Sequence, residues 1–205
     1  MELFELYIEE NLEDKSGVDD ISAVDSPAIE EGYLAFNNQK NLKKLKLTFG
    51  NNKGDFKPVE GDKQIIAGAL MIPDLEIYRV DDDGKEYNVQ FKAETIALIQ
   101  RKFKKLGYNS NINQMHDVNQ RIANSVMFQD FIIDRKMGIN PPLGQDHLPD
   151  GTWFGFVHVG DLNVWNEFVK TGIYTGFSVG GFFYDRPVVK FTEDEFKTLL
   201  VNILY

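Results

Sequence analysis

The sequence predicts an α+β protein: a mostly antiparallel β-barrel or curled sheet with a few flanking helices. Short apolar or alternating segments separated by turn residues recur along the chain, which is typical of antiparallel strands. Only a few stretches carry apolar residues at helical spacing. With 205 residues, 42% of them hydrophobic, and no internal repeat, the chain fits a single domain over residues 1–205 with a sizeable core.

The first half of the chain predicts several strands and one helix. Strands are expected at residues 3–8, 65–72, 75–80 and 87–91. Asp81–Gly84 predicts the hairpin turn between the last two. Residues 37–63, rich in Asn, Lys and Gly, indicate a mobile polar excursion with a short strand at 45–49. Residues 93–106 have the apolar spacing of a helix, which Gly107 ends.

The second half continues the same mixture. Strands are expected at residues 126–133, 152–159, 177–183 and 188–191. A Gly- and Pro-containing loop separates the first two, at 135–151. Asp161 is suited to begin a helix that Gly172 ends. A capping box from Thr192 to Glu195 predicts a final helix.

The composition excludes several classes of protein. A net charge of −10 disfavours a long electrostatic contact with nucleic acid. Without cysteine, the chain can form no disulfide, thiol nucleophile or thiolate metal site. Its acidic start is unlike a signal peptide, and no apolar run approaches membrane-spanning length. We therefore expect a soluble protein used inside a cell, with no nucleic-acid or membrane partner.

The strongest chemical signal is Ser178, within Thr-Gly-Phe-Ser-Val-Gly-Gly-Phe at residues 175–182. Glycines after a serine let the backbone approach a substrate closely and aim N–H groups at a developing oxyanion. Ser178 is therefore a candidate nucleophile. The alternative is a buried strand in which the glycines mark a bulge.

A nucleophilic serine needs a base within hydrogen-bond reach, and the chain has three histidines. His158 lies in an apolar strand, where a packed histidine is expected. His147 lies in a polar loop, where a solvated histidine is the simplest interpretation. His116 precedes a chain reversal into a strand, where a scaffold can present a catalytic side chain. An ordinary loop histidine would fit that position equally well.

Several segments resemble those of the XkdF-like phage serine proteases, in the same order along the chain. They are Val24–Ala28, Gly68–Asp74, His116, Pro149–Trp153, Val164–Trp165 and Gly176–Val179. This family is related to the prohead (capsid maturation) proteases. The resemblance implies a herpesvirus-assemblin-like fold, with His116 as general base and Ser178 as nucleophile.

The same resemblance suggests a third catalytic residue. In prohead proteases the acid that orients the histidine lies after the serine, in a pattern like Glu-Val-Ser-Leu-Val-x-x-Pro-Ala. Here that pattern occurs near the start, over Asp20–Ala28. We therefore expect a circularly permuted chain with Asp20 as the third member, although an acidic turn residue is the alternative. Two positions depart from the family pattern: Gly180 replaces an expected Glu, and Gln129-Asp130 an expected Glu-Ser.

These observations favour a prohead maturation serine endopeptidase that acts in the host cytoplasm, inside the procapsid or virion. Its substrates would be the phage scaffold and major capsid precursors, with the protease itself as a further candidate. Backbone N–H groups of Val179, Gly180 and Gly181 would hold the oxyanion, and no cofactor is expected. The alternatives are a catalytically silent relative that serves in capsid assembly and a metal-dependent hydrolase built on His116 and Asp117. The sequence leaves a homodimer open.

Overall fold

In a computed structural model, residues 1–29, 34–36, 63–142 and 144–188 are described. Over these residues the chain forms twelve strands, one long helix and one short helix. The strands are β1 (Glu2–Tyr7), β2 (Gly17–Val24), β3 (Leu34–Phe36), β4 (Ile65–Met71), β5 (Ile77–Val80), β6 (Glu86–Phe91), β7 (Ile112–Gln114), β8 (Asp117–Arg121), β9 (Val126–Ile132), β10 (Trp153–His158), β11 (Gly176–Phe182) and β12 (Tyr184–Pro187). Helix α1 spans Ala93–Lys105, and α2 (Leu162–Val164) continues as a π-helical turn, Trp165–Val169.

The strands form three four-stranded sheets, each assembled from distant parts of the chain. Their orders are β12-β1-β6-β5, β3-β4-β10-β9 and β11-β2-β7-β8. Pairing is antiparallel except for β1 with β6 and β2 with β7, which are parallel. The described residues are therefore compatible with the α+β class, but of the predicted barrel or curled sheet they form no closed barrel. Each of their sheets keeps two edge strands, so none closes on itself.

Strand β4 is buried on both faces, which explains its continuous apolar run. Ile66 and Leu70 contribute to the larger core, where they join Ile96, Ile99 and Phe103 of α1. Ala67 and Ala69 contribute to the smaller core on the other side, together with Val89 and Phe154. Side chains of a strand alternate between faces, so one strand can serve two cores.

The loop that leads into β2 is tied to α1 by a buried lysine. Lys102 Nζ donates to the Glu9 and Asp14 carbonyl oxygens at 3.0 and 2.9 Å. Asp14 Oδ1 in turn accepts a hydrogen bond from the Ser16 N–H at 2.7 Å. The start of β2 is therefore fixed by the helix that packs behind it.

Most predicted elements are present. The strands expected at 3–8, 65–72, 75–80, 87–91, 126–133, 152–159 and 177–183 are all found within a few residues. Helix α1 ends where Gly107 adopts a φ of 75°, and Asp161 caps α2 by accepting the N–H groups of Asn163 and Val164. The short hairpin β7–β8 and strand β12 were not anticipated.

Some predicted segments fall outside the described residues. They are residues 37–62 with the strand at 45–49, the helix from Thr192, and all but the first residue of the strand at 188–191. Across the described segments, none of the helices is both long enough and apolar enough to cross a membrane.

Candidate active site

Strand β2 lies between β11 and β7, and the candidate site is built around it. Its register sets Ser22 opposite Ser178 on β11 and opposite Asn113 on β7. Asp20 lies opposite Gly180. Directly paired residues point to the same face of a sheet, as do residues two apart on one strand, so these side chains share one face. The Asp20 stretch thus lies beside both the Ser178 strand and the segment leading to His116.

His116 is carried by a two-residue turn between β7 and β8. Gln114 pairs with Asp117 across the turn, and the two residues between them, Met115 and His116, have φ angles of 50° and 60°. This is the conformation of a type I′ hairpin, which normally uses Asn or Gly. The Met115 N–H donates to the Ala23 carbonyl oxygen at 3.1 Å, which holds the turn against β2.

The hydrogen bond of the His116 ring goes to Ser22. Nδ1 lies 3.2 Å from Ser22 Oγ, which is itself 3.3 Å from Asp20 Oδ1 and hydrogen-bonded to the Asn113 side chain. Ser22 is completely buried, whereas His116 is exposed. Asp20 and His116 therefore share one hydrogen-bond partner.

Ser178 borders a cavity of about 270 Å³, together with Val179, Gly180 and Gly181. The other walls are mostly apolar, with side chains from β1, β4, β5 and β6 among them, and Arg79 also lines the cavity. The Ser178 residue is 9% exposed, whereas the facing Ser22 has no exposed surface. Of this pair of serines, Ser178 is the one that a substrate can reach.

The two glycines after Ser178 are required by different neighbours. A Cβ atom at Gly180 would lie 2.8 Å from both carboxylate oxygens of Asp20. A Cβ atom at Gly181 would lie 2.0 Å from the Gly17 carbonyl oxygen, and the strand register shifts between the two glycines. Gly180 thus leaves room for the Asp20 carboxylate, and Gly181 leaves room for the backbone of β2.

Comparison with known proteins identifies the family. A family model described as "Putative phage serine protease XkdF" matches residues 56–185, more than half of the chain. The chain belongs to this family. The matched segment contains His116 and Ser178, whereas Asp20 and Ser22 precede it. Curated proteins and solved structures gave no match.

One departure from the XkdF family pattern has a structural explanation. The buried carboxylate of Asp130, on β9, accepts hydrogen bonds from Trp153 Nε1 at 2.9 Å and Gln100 Nε2 at 2.8 Å. It also pairs with Lys104 of α1. Asp130 therefore joins α1 to β9 and β10.

The other two histidines and Arg186 have their own positions in the fold. His158 ends β10, where it pairs with Ile65 and Val126, and His147 lies in an exposed turn. Arg186 on β12 forms an ion pair with Glu5. Over the described residues, no group of three or more His, Asp and Glu side chains is arranged to hold a metal ion.

Two carboxyl groups around the site differ in their electrostatics. Partial desolvation raises the pKa of Asp19, and the adjacent charge of Asp20 adds to this effect. Hydrogen bonds lower the pKa of Asp117, first that from the Asn119 backbone N–H and then that from the Gln120 side chain. The carboxylate of Asp117 therefore braces the hairpin that carries His116.

Sequence reasoning did not identify Ser22 or Asn113. A signal for Ser22 was present, since residues 20 and 22 of a strand must share a face. Asn113 gave no such signal, because a three-residue strand in an Asn-rich segment has no pattern that sets its pairing.

Proposed function

We propose that this protein is a prohead maturation serine endopeptidase, with Ser178 as nucleophile and His116 as general base. Membership of a phage serine protease family supports the reaction class. The observation that carries the residue assignment is the pairing of β11 with β2. It sets Ser178, at the wall of a cavity, beside the serine on which the His116 ring is held.

The proposed reaction is acyl transfer through a covalent intermediate. His116 Nε2 takes the proton from Ser178 Oγ as this oxygen attacks the scissile carbonyl carbon. When the tetrahedral intermediate collapses, the C–N bond breaks and the imidazolium gives its proton to the leaving amine. Water then releases the acyl group from Ser178 with His116 again as base. Asp20 is proposed as the third member of the site.

The oxyanion would be held by backbone N–H groups of Val179, Gly180 and Gly181. The strand order supports this assignment: among the described strands β11 lies at the edge of its sheet, and in an antiparallel pair only alternate residues donate their N–H groups to the neighbouring strand. A free N–H group beside the nucleophile can then donate to the developing negative charge.

The cavity beside Ser178 would bind an apolar side chain of the substrate. A dry, apolar cavity of about 150 Å³ is large enough to bind benzene, and this one measures about 270 Å³. The identity of the substrate rests on the resemblance to prohead proteases. This resemblance implies that the substrates are the scaffold and major capsid precursors and the protease itself, and that they are cleaved inside the procapsid.

A serine-directed fluorophosphonate tests the proposal directly. We expect it to label Ser178, as mapped by peptide mass spectrometry, and to label neither the Ser178→Ala nor the His116→Ala variant. Cleavage of a co-expressed scaffold or capsid precursor should fall by up to about 10⁶-fold in either variant, and the double variant should be little worse.

His147→Ala and His158→Ala are the matched controls, and both should retain labelling and cleavage. Cleavage that persists in Ser178→Ala would exclude this serine. If the folded wild-type protein neither reacts with the fluorophosphonate nor cleaves these precursors, the alternative of a silent capsid-assembly component would be favoured instead.

A further inference from the structure

The hydroxyl of Ser22 lies among more hydrogen-bond partners than its single proton can serve. Its oxygen contacts His116 Nδ1 at 3.2 Å, Asp20 Oδ1 at 3.3 Å and the side-chain oxygen of Asn113. Ser22 is 0% exposed, so water does not compete for these contacts. The hydrogen bonds of the Ser22 hydroxyl must therefore be made with these three side chains.

Counting donors and acceptors fixes which ring nitrogen of His116 carries a proton. A serine hydroxyl donates one hydrogen bond and accepts up to two, and an ionised carboxylate only accepts. If Ser22 gave its proton to Nδ1, the oxygens of both Asp20 and Asn113 would face lone pairs of Ser22 Oγ. If Ser22 instead donates to one of these oxygens, Nδ1–H can donate to Ser22. The second arrangement satisfies more groups in a buried site.

With the proton on Nδ1, the neutral ring has its free lone pair on Nε2. This is the nitrogen that a general base must present to the nucleophile. On its other side Ser22 contacts the Asp20 carboxylate, so two hydrogen bonds join that carboxylate to the ring. Buried Ser22 thus has the role usually taken by an acid in direct contact with Nδ1.

We infer that Ser22 is a positioning residue that fixes the Nδ1–H tautomer of His116 and links this histidine to Asp20. The inference rests on the proposed function for its catalytic consequence. Its structural content, the tautomer, can be measured whether or not the protein is an active protease.

The test is ¹⁵N NMR of protein labelled in its three histidines, assigned with the His147→Ala and His158→Ala variants. In the wild-type protein we expect the neutral His116 ring to be protonated on Nδ1. In Ser22→Ala this preference should be lost, while Ser22→Thr, which keeps the hydroxyl, should retain it. Precursor cleavage by Ser22→Ala should fall by more than about tenfold, up to the roughly 10⁴-fold loss caused by a wrong tautomer in a serine protease.

Ser125→Ala is the matched control, because Ser125 is also a buried serine and accepts the Gly160 N–H at 3.0 Å. It should change stability without changing the His116 tautomer. An Nε2–H ring in the wild-type protein would overturn the inference with no variant needed. An unchanged tautomer in folded Ser22→Ala, or fluorophosphonate labelling of Ser22 itself, would also overturn it. An inactive wild-type protein with the Nδ1–H ring would refute the protease proposal and leave the positioning role of Ser22 supported.

Discussion

At Gly180 the absence of a side chain decides where the Asp20 carboxylate can lie. A glutamate at this position, as the family pattern suggests, would begin with a Cβ atom 2.8 Å from both oxygens of Asp20. It would also place a second carboxylate near the first, and like charges at short range oppose each other's ionisation. A glycine at position 180 therefore leaves room for the Asp20 carboxylate, whereas a glutamate at position 180 would crowd it and repel its charge.

Gly180→Ala should lower activity without unfolding the protein. The new methyl group displaces the Asp20 carboxylate from Ser22, and a short side chain can rotate away at little cost. We expect kcat for precursor cleavage to fall at least tenfold, towards the roughly 10⁴-fold loss expected for Asp20→Asn by analogy with other triads, with KM nearly unchanged. Urea unfolding should show a change in stability of less than about 1 kcal/mol.

Gly181→Ala is the matched control for this prediction. Its Cβ atom would meet the Gly17 carbonyl oxygen at 2.0 Å, and backbone cannot move aside as a carboxylate can. The β11–β2 pairing should therefore weaken, at a cost of about 1–3 kcal/mol or more. Full activity in Gly180→Ala would mean that the position of Asp20 is unimportant for catalysis.

The β7–β8 hairpin carries the candidate base on a strained turn. Two adjacent residues with side chains, Met115 and His116, have positive φ angles, a conformation that costs about 1–3 kcal/mol for each such residue. Hydrogen bonds from Tyr174 to Gln114 and from Met115 to Ala23 hold the turn in place. Strain of this kind persists where the surrounding structure enforces it, and it is frequent at functional sites.

Met115→Asn should stabilise the protein by about 1 kcal/mol, because Asn adopts the left-handed conformation more readily than Met. Urea denaturation would measure the gain. Since Met115 is largely exposed, little packing is lost. Val118→Asn, at an exposed position on β8, is the control and should not stabilise. A loss of stability in Met115→Asn would show that the turn is not strained at this residue.

The elements that the sequence predicted well have local signals. Helix α1 has three apolar residues at helical spacing and a glycine at its end, and the β5–β6 hairpin has a turn sequence between two strands. Strands β7 and β8 have no comparable pattern, because β8 is polar and largely exposed. Their position depends on pairing with β2, about 90 residues earlier in the chain, which no local signal encodes.

At the scale of the whole molecule, the site depends on which strands become neighbours. Ser178 and Asp20 could be proposed because each belongs to a short segment with a recognisable pattern, and His116 could be proposed from its place in the family resemblance. The role of Ser22 could not be proposed from a motif, because this role follows from β2 lying between an antiparallel and a parallel partner strand. The register of these pairings is determined by how all three sheets pack, and a motif in one segment carries no information about it.

The pH dependence of stability also depends on carboxylates in different parts of the fold. Hydrogen bonds from the Ser16 hydroxyl and backbone N–H lower the pKa of Asp14, and those from Asn119 and Gln120 lower the pKa of Asp117. Partial desolvation raises the pKa of Asp19. A lowered pKa means that the unfolded chain binds the proton more readily than the fold does, whereas a raised pKa has the opposite effect.

The free energy of unfolding should therefore fall as the pH drops below the ordinary aspartate value of 3.8, since Asp14 and Asp117 then lose the hydrogen bonds of their charged forms. Asp19 acts in the opposite direction and at higher pH, between its raised pKa and 3.8, because the cost of its charged form in the fold disappears as it is protonated there. Urea denaturation at pH about 7 and about 3 would measure how steeply the free energy of unfolding changes with pH.

Asp117→Asn should be less stable than wild type at neutral pH and lose less stability on acidification. Asp19→Asn should be more stable at neutral pH and lose more on acidification. Equal pH slopes in the wild type and both variants would show that these carboxylates do not determine the acid sensitivity of the fold.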